Sequence, residues 1–217
     1  GFVKKDKPLT GYDYDSLADD LKAIIEELQL DNAVLVGFSM GGGEVVKYFS
    51  RHGGKGVAKA VLVSSIAPFM LQTENNPDGV SQEKIDEIAA GIQADRAGFL
   101  GDFGKQFYGV GLLNKPVSDQ ILTHDLLTAM QATLKSTLGC ATAFSSTDLR
   151  TDILSINVPT LIIHGDEDQT VPIKATGEQA ADMIAGSKFL VYEGEPHGLF
   201  FTSKDQLNTD LIDFIGG

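Results

Sequence analysis

AVLVGFSMGGGEVV, residues 33–46, places one serine between glycines at the end of an apolar run. The run Ala33–Phe38 is continuous rather than alternating, as expected of a strand covered on both faces. Glu44 to His52 then reads as a helix. Gly37-Phe38-Ser39-Met40-Gly41 therefore fits G-x-S-x-G between a buried strand and a helix, the setting that pattern requires. On such a turn the serine is strained and its Oγ is exposed at the carboxyl end of the sheet. The flanking glycines leave room where Cβ atoms would collide. The Met40 backbone N–H, at a helix N-terminus, would face developing negative charge. The plain alternative is a glycine-rich turn that only joins two elements. A phosphate loop is disfavoured, because neither G-K-[ST] nor G-x-G-x-x-G spacing is present.

Further apolar runs of strand length stand at Ala58–Ser64, Thr160–His164 and Lys188–Tyr192. Helical patterns separate them. Leu17, Leu21, Ile24, Ile25 and Leu28 form one. Leu207, Leu211, Phe214 and Ile215 form the last, with Ser203 as its expected cap. The order α-β-α-β, a long interruption, then β-α-β-α predicts a mainly parallel sheet flanked by helices. The interruption, about Ala67 to Asp148, carries helical stripes (Ile85, Ile88, Ile92 and Leu122, Leu126, Met130) but no convincing strand. It is expected to be a helical lid of residues 67–148, inserted in a core of residues 1–66 and 149–217.

A serine hydroxyl becomes a nucleophile when a base takes its proton, and the base needs an orienting acid. In this architecture the chain order is serine, acid, histidine. There are four histidines. His52 suits a helix C-terminus, His124 lies in the lid, and His164 lies within a strand; each reads as structural. His197, in EGEPHGLF between the fourth visible strand and the last helix, is the expected base. The acid must come from IIHGDEDQTVP, where Asp166, Glu167 and Asp168 compete. Asp166 suits bracing of the turn, and spacing alone favours Asp168 over it only modestly.

Composition narrows the class. A chain of 217 residues with 42% hydrophobic residues can bury a sizeable core. A formal net charge of −13 argues against nucleic acid and anionic membrane surfaces as partners. The single cysteine, Cys140, excludes an internal disulfide and a cysteine-rich zinc site, and reads as a buried thiol. No apolar stretch reaches span length and no secretory signal is visible, so a cytoplasmic protein is expected. Because the chain opens on glycine rather than methionine, a lost signal peptide would leave no trace.

Together, VGFSMGGGEVVKYFSRHG, HGDEDQTVP and PHG resemble the cofactor-free haloperoxidase and arylesterase branch of the α/β-hydrolase family. GYDYDSLADDLKAIIEEL, DRAGFL, QFYG and AFSSTDLR are similar to the same branch, so the resemblance runs along nearly the whole chain. It implies Ser39 as nucleophile, Asp168 as the triad acid and His197 as base. It further implies hydrolysis of small aryl esters through an acyl-serine, with no metal or other cofactor. Hydrogen peroxide in place of water would give a peracid able to oxidise halide. The lid would shape the pocket. Phe38, Met40 and Val171 flank triad members and are expected to line it. Phe99, Phe103 and Phe107, at i, i+4 and i+8, would either line it or pack the lid onto the sheet.

The opening GFVKKDKPLTGYDYD departs from the family, which usually has a glycine and a serine where Val3 and Lys5 stand. Family members also place several strands before it, about fifty residues by ordinary element lengths. Those residues supply the second oxyanion N–H. Without them Ala33–Phe38 would be left as a poorly covered edge, and one donor of two would cost about 100- to 1,000-fold in turnover. A complementing amino-terminal fragment or a homo-oligomer would restore the sheet. The competing reading is a truncated or inactive hydrolase-like scaffold with a binding role.

Overall fold

A computed structural model describes residues 9–217. Val3 and Lys5, where the opening departs from the family pattern, lie outside the described residues. Four strands make one parallel sheet in the order β1 (Ala33–Phe38), β2 (Val57–Val63), β3 (Thr160–Gly165), β4 (Lys188–Tyr192). The helices α1 (Tyr14–Glu27) and α2 (Met40–His52) flank β1. Between β2 and β3 run α3 (Gln82–Ala94), α4 (Arg96–Phe107), α5 (Asp119–Ala129) and α6 (Leu134–Ser146). After β3 come α7 (Gly177–Met183), β4, α8 (Leu199–Thr202) and α9 (Lys204–Gly216). No helix among the described residues is long and apolar enough to cross a membrane.

Burial explains the continuous apolar runs. Ala60 and Leu62 of β2, with Ile162 of β3, face the core shared with Val46 and Phe49 of α2. Val61, Val63, Leu161 and Ile163 point to the other face, against Leu199 and Leu207. Both sides of these inner strands are covered, so apolar residues dominate both alternate positions. Each such side chain contributes about 1.5–3 kcal/mol by leaving water. The outer strands are covered less well: Val36 of β1 is 48% exposed and so is Val191 of β4. Among the described residues nothing pairs with the outer edge of β1, the poorly covered edge anticipated from the sequence.

Helix starts follow local chemistry. Asp13, Ser81, Asp95, Ser118 and Thr133 each accept a hydrogen bond from a backbone N–H in the first turn of α1, α3, α4, α5 and α6. Ser203 precedes α9 as expected, but its side chain makes no capping bond. Cys140, expected to be buried, is only partly so.

α2 begins directly at Met40, earlier than the sequence suggests, because Gly41, Gly42 and Gly43 form its first turn despite poor helix propensity. Packing explains this. A Cβ at Gly42 would stand 2.1 Å from Ser65 Oγ, and one at Gly43 would stand 2.6 Å from the Tyr14 ring. A Cβ at Gly37 would meet the Gly41 carbonyl at 2.5 Å. Gly41, by contrast, meets nothing within 4 Å, so the expected crowding falls on Gly37 and not on Gly41. Gly42→Ala is expected to cost about 1–3 kcal/mol by overpacking, while Gly41→Ala leaves stability unchanged or slightly raised. Thermal melts of the two variants check this, and equal losses would contradict it.

Candidate active site

Ser39 directly follows β1 in a conformation that L residues rarely adopt, φ 52° and ψ −119°. The turn is held from both sides: the Ser39 N–H donates to the Val63 carbonyl at 2.9 Å, and its carbonyl accepts from Gly42 at 3.0 Å. Oγ is thereby aimed away from the sheet at the carboxyl ends of the strands. The loop after β4 carries His197, whose Nε2 accepts the Ser39 hydroxyl at 3.0 Å. The loop after β3 carries Asp168, whose Oδ2 accepts the His197 Nδ1–H at 2.6 Å. Asp168 and His197 are both buried, so this chain of hydrogen bonds lies largely out of water.

The same segments agree with known proteins. The family model for the alpha/beta hydrolase fold matches residues 1–204. The chain belongs to the α/β-hydrolase family. Within it, its relatives include haloperoxidases and esterases. A non-heme chloroperoxidase of Streptomyces lividans is 40% identical over 216 residues, 99% of this chain and 78% of that protein. A bifunctional esterase/perhydrolase of Acinetobacter calcoaceticus is 38% identical over 206 residues, covering 94% of this chain and 75% of its own length. Among solved structures, a bromoperoxidase from Bacillus anthracis superposes with a TM-score of 0.97 at 39% identity, over 100% of this chain and 79% of that one. The chain is thus an enzyme of the non-haem haloperoxidase and esterase branch.

Other expected residues take different positions in this α/β-hydrolase. The Asp168 Oδ1 accepts the N–H groups of Thr170 and Val171 at 2.9 and 2.8 Å. Asp166 instead accepts from the Gly194 N–H at 2.6 Å, which ties its loop to the histidine loop rather than bracing its own turn. Val171 serves the site through its backbone, because its side chain is 1% exposed and packs in the main core. Met40 opens α2, so its N–H belongs to the unpaired first turn of that helix. His52 ends α2 and meets Asp19 at 2.8 Å, and His124 is exposed beside Asp125; neither approaches the site.

The three lid phenylalanines divide along α4. The Phe107 ring stands edge-on to the His197 ring, 4.9 Å between centroids. Phe103 touches Phe107 but not the triad, and Phe99 stacks on Phe103 and packs against Gly91 of α3. Phe38 lies 5.0 Å from the His197 ring and 6.0 Å from Phe107. Phe200, which periodicity did not single out, completes an aromatic wall 5.0 Å from Phe38 and 5.9 Å from Phe107. Its only signal was its place three residues after His197. The lid is also tied to both catalytic loops. The Gly198 N–H donates to the Phe107 carbonyl at 2.7 Å, and Gln106 Nε2 donates to the Gln169 carbonyl at 2.9 Å.

Burial alone would raise the Asp168 carboxyl, but hydrogen bonds from His164 and His197, and their charges, outweigh it and hold it at about 2. A carboxylate depressed from near 4 gives stability that is fully present above that value. It is lost as pH falls through about 2. The amount is about 2 kcal/mol. Asp168→Asn is therefore expected to flatten the fall of stability between pH 4 and pH 2, read by denaturant unfolding at each pH. An unchanged slope in the variant would contradict the electrostatic role of Asp168.

Proposed function

We propose that this chain hydrolyses small carboxylic esters, aryl esters among them, through an acyl-serine intermediate. The observation that carries the reading is the continuous chain Ser39 Oγ–His197 Nε2 and His197 Nδ1–Asp168 Oδ2, at 3.0 and 2.6 Å. His197 takes the hydroxyl proton as Oγ attacks the ester carbonyl carbon, then gives it to the departing alcohol or phenol. Asp168 holds the ring with Nδ1 protonated and stabilises the imidazolium. The Met40 N–H donates to the developing oxyanion. Water, activated by the same histidine, releases the acid and restores Ser39. The wall of Phe38, Phe107 and Phe200 suits an aryl or short acyl group and keeps water from the histidine.

With hydrogen peroxide as acceptor, the acyl group leaves Ser39 as a peracid. The peracid then oxidises a halide to hypohalous acid and becomes the carboxylic acid. The names of the chloroperoxidase and esterase/perhydrolase relatives support this second outcome. The bare outer edge of β1 favours a further element of the reading: a complementing strand, from an amino-terminal fragment or a second copy, would pair there and bring another oxyanion donor. An inactive scaffold is the reading to defeat, and its support is that same bare edge.

Ser39→Ala is expected to lower turnover of an aryl acetate at least about 1,000-fold. Release of the phenol, followed by absorbance, measures this. Equal rates in the variant and the unsubstituted chain would contradict the assignment.

A further inference from the structure

We propose that His164 is a positioning residue, a second imidazole that holds the Asp168 carboxylate for His197. The inference rests on the Ser39–His197–Asp168 reading above. His164 lies in β3 among Ile162, Ile163 and Leu161, and its side chain is fully buried, a place that an aliphatic residue would fill. Its Nε2 stands 3.0 Å from the Val171 carbonyl and 3.3 Å from Asp168 Oδ2. Both neighbours are acceptors, so Nε2 carries the proton and shares it between them. Nδ1 is then the bare nitrogen. It is buried without a partner and faces Gly177, where a Cβ would stand only 2.7 Å away. An unpaired buried nitrogen is a cost that leucine would not carry, and the contacts of Nε2 with the Val171 carbonyl and Asp168 are what offset it.

Every acceptor direction of the Asp168 carboxylate is thereby used. Oδ1 takes the two backbone N–H groups of Thr170 and Val171, and Oδ2 takes the two imidazoles. The carboxylate has one orientation left, and it presents Oδ2 to His197. The remaining carboxylates of the surrounding loops are turned elsewhere. Asp166 faces the Gly194 N–H, Glu195 binds the Thr202 hydroxyl, and Glu167 is exposed. The groups that meet the Asp168 carboxylate are therefore the two histidines and the two backbone N–H groups. His164 thereby helps to hold Oδ2 toward the His197 Nδ1–H. Without His164 the carboxylate is freer to turn, and the His197 ring loses part of what fixes its orientation.

The test pairs His164→Leu with His164→Gln, whose side-chain amide can replace the Nε2–H donor. For His164→Leu, kcat toward an aryl acetate is expected to fall about 10- to 100-fold with KM little changed. His164→Gln is expected to restore most of the lost kcat. A leucine variant whose kcat is unchanged or whose loss lies in KM, or equal behaviour of the two variants, overturns the proposal. Histidine 15N NMR of the unsubstituted chain needs no variant to fold. His164, assigned through its proximity to Gly177, is expected as the Nε2–H tautomer, and the Nδ1–H tautomer overturns the proposal. If Ser39→Ala were fully active the triad reading would fail, yet an Nδ1–H tautomer at His164 would still show by itself that no proton is offered to Asp168.

Discussion

The left-handed backbone at Ser39 is the constraint on which the rest of the site depends. A residue at φ 52° costs about 1–3 kcal/mol unless its surroundings over-determine it. Here β1 feeds into the turn, the Val63 carbonyl anchors it, and α2 must start at the next residue. That start is possible only because Gly42 and Gly43 allow α2 to press on Ser65 and Tyr14. The strain is thus paid for by packing several residues away, and the outcome is a hydroxyl fixed at the carboxyl end of the sheet.

The partners of Ser39 arrive by the same geometry. Parallel strands end on one side of the sheet, so the loops after β3 and β4 converge on the end of β1 although they are far apart in sequence. Backbone ties then fix them to each other. The Glu167 N–H donates to the Glu195 carbonyl at 3.2 Å, and a Cβ at Gly165 would stand 2.1 Å from that same carbonyl. The close approach of these loops, together with the bond from Gly198 to Phe107, makes the acid, the base and the lid wall a single unit. Burial strengthens the Asp168–His197 interaction, because water is not available to compete for either partner.

Much of this was legible in the sequence, and the residues show why. Ser39 and His197 follow from chain order and from loops at strand ends, which are local signals, whereas the choice of Asp168 over Asp166 and Glu167 rests on the family resemblance. The inner strands were legible because two covered faces favour a continuous apolar run. What escaped depends on contacts between distant segments. Which motif glycine is crowded is decided by Ser65 and Tyr14, so Gly41 and Gly42 could not be told apart in advance. The spacing of Phe99, Phe103 and Phe107 correctly places three rings in a row, but the row runs away from His197 and only its last ring arrives. Val171 looked like a pocket residue because it adjoins the acid, whereas its side chain goes to the core and its backbone goes to Asp168. His164 read as structural because the direction of a ring inside a strand is known only once the Asp168 loop folds back over it.

The central claim, that strain, packing and burial make Ser39 a nucleophile activated by His197, is tested most directly by covalent labelling. The chain is incubated with an organophosphonate ester and its intact mass is followed, with peptide mapping to locate the adduct. One phosphonyl group per chain, placed on Ser39 and absent in His197→Ala, is the result the account requires. No adduct on the unsubstituted chain, or an adduct on another residue, would contradict it.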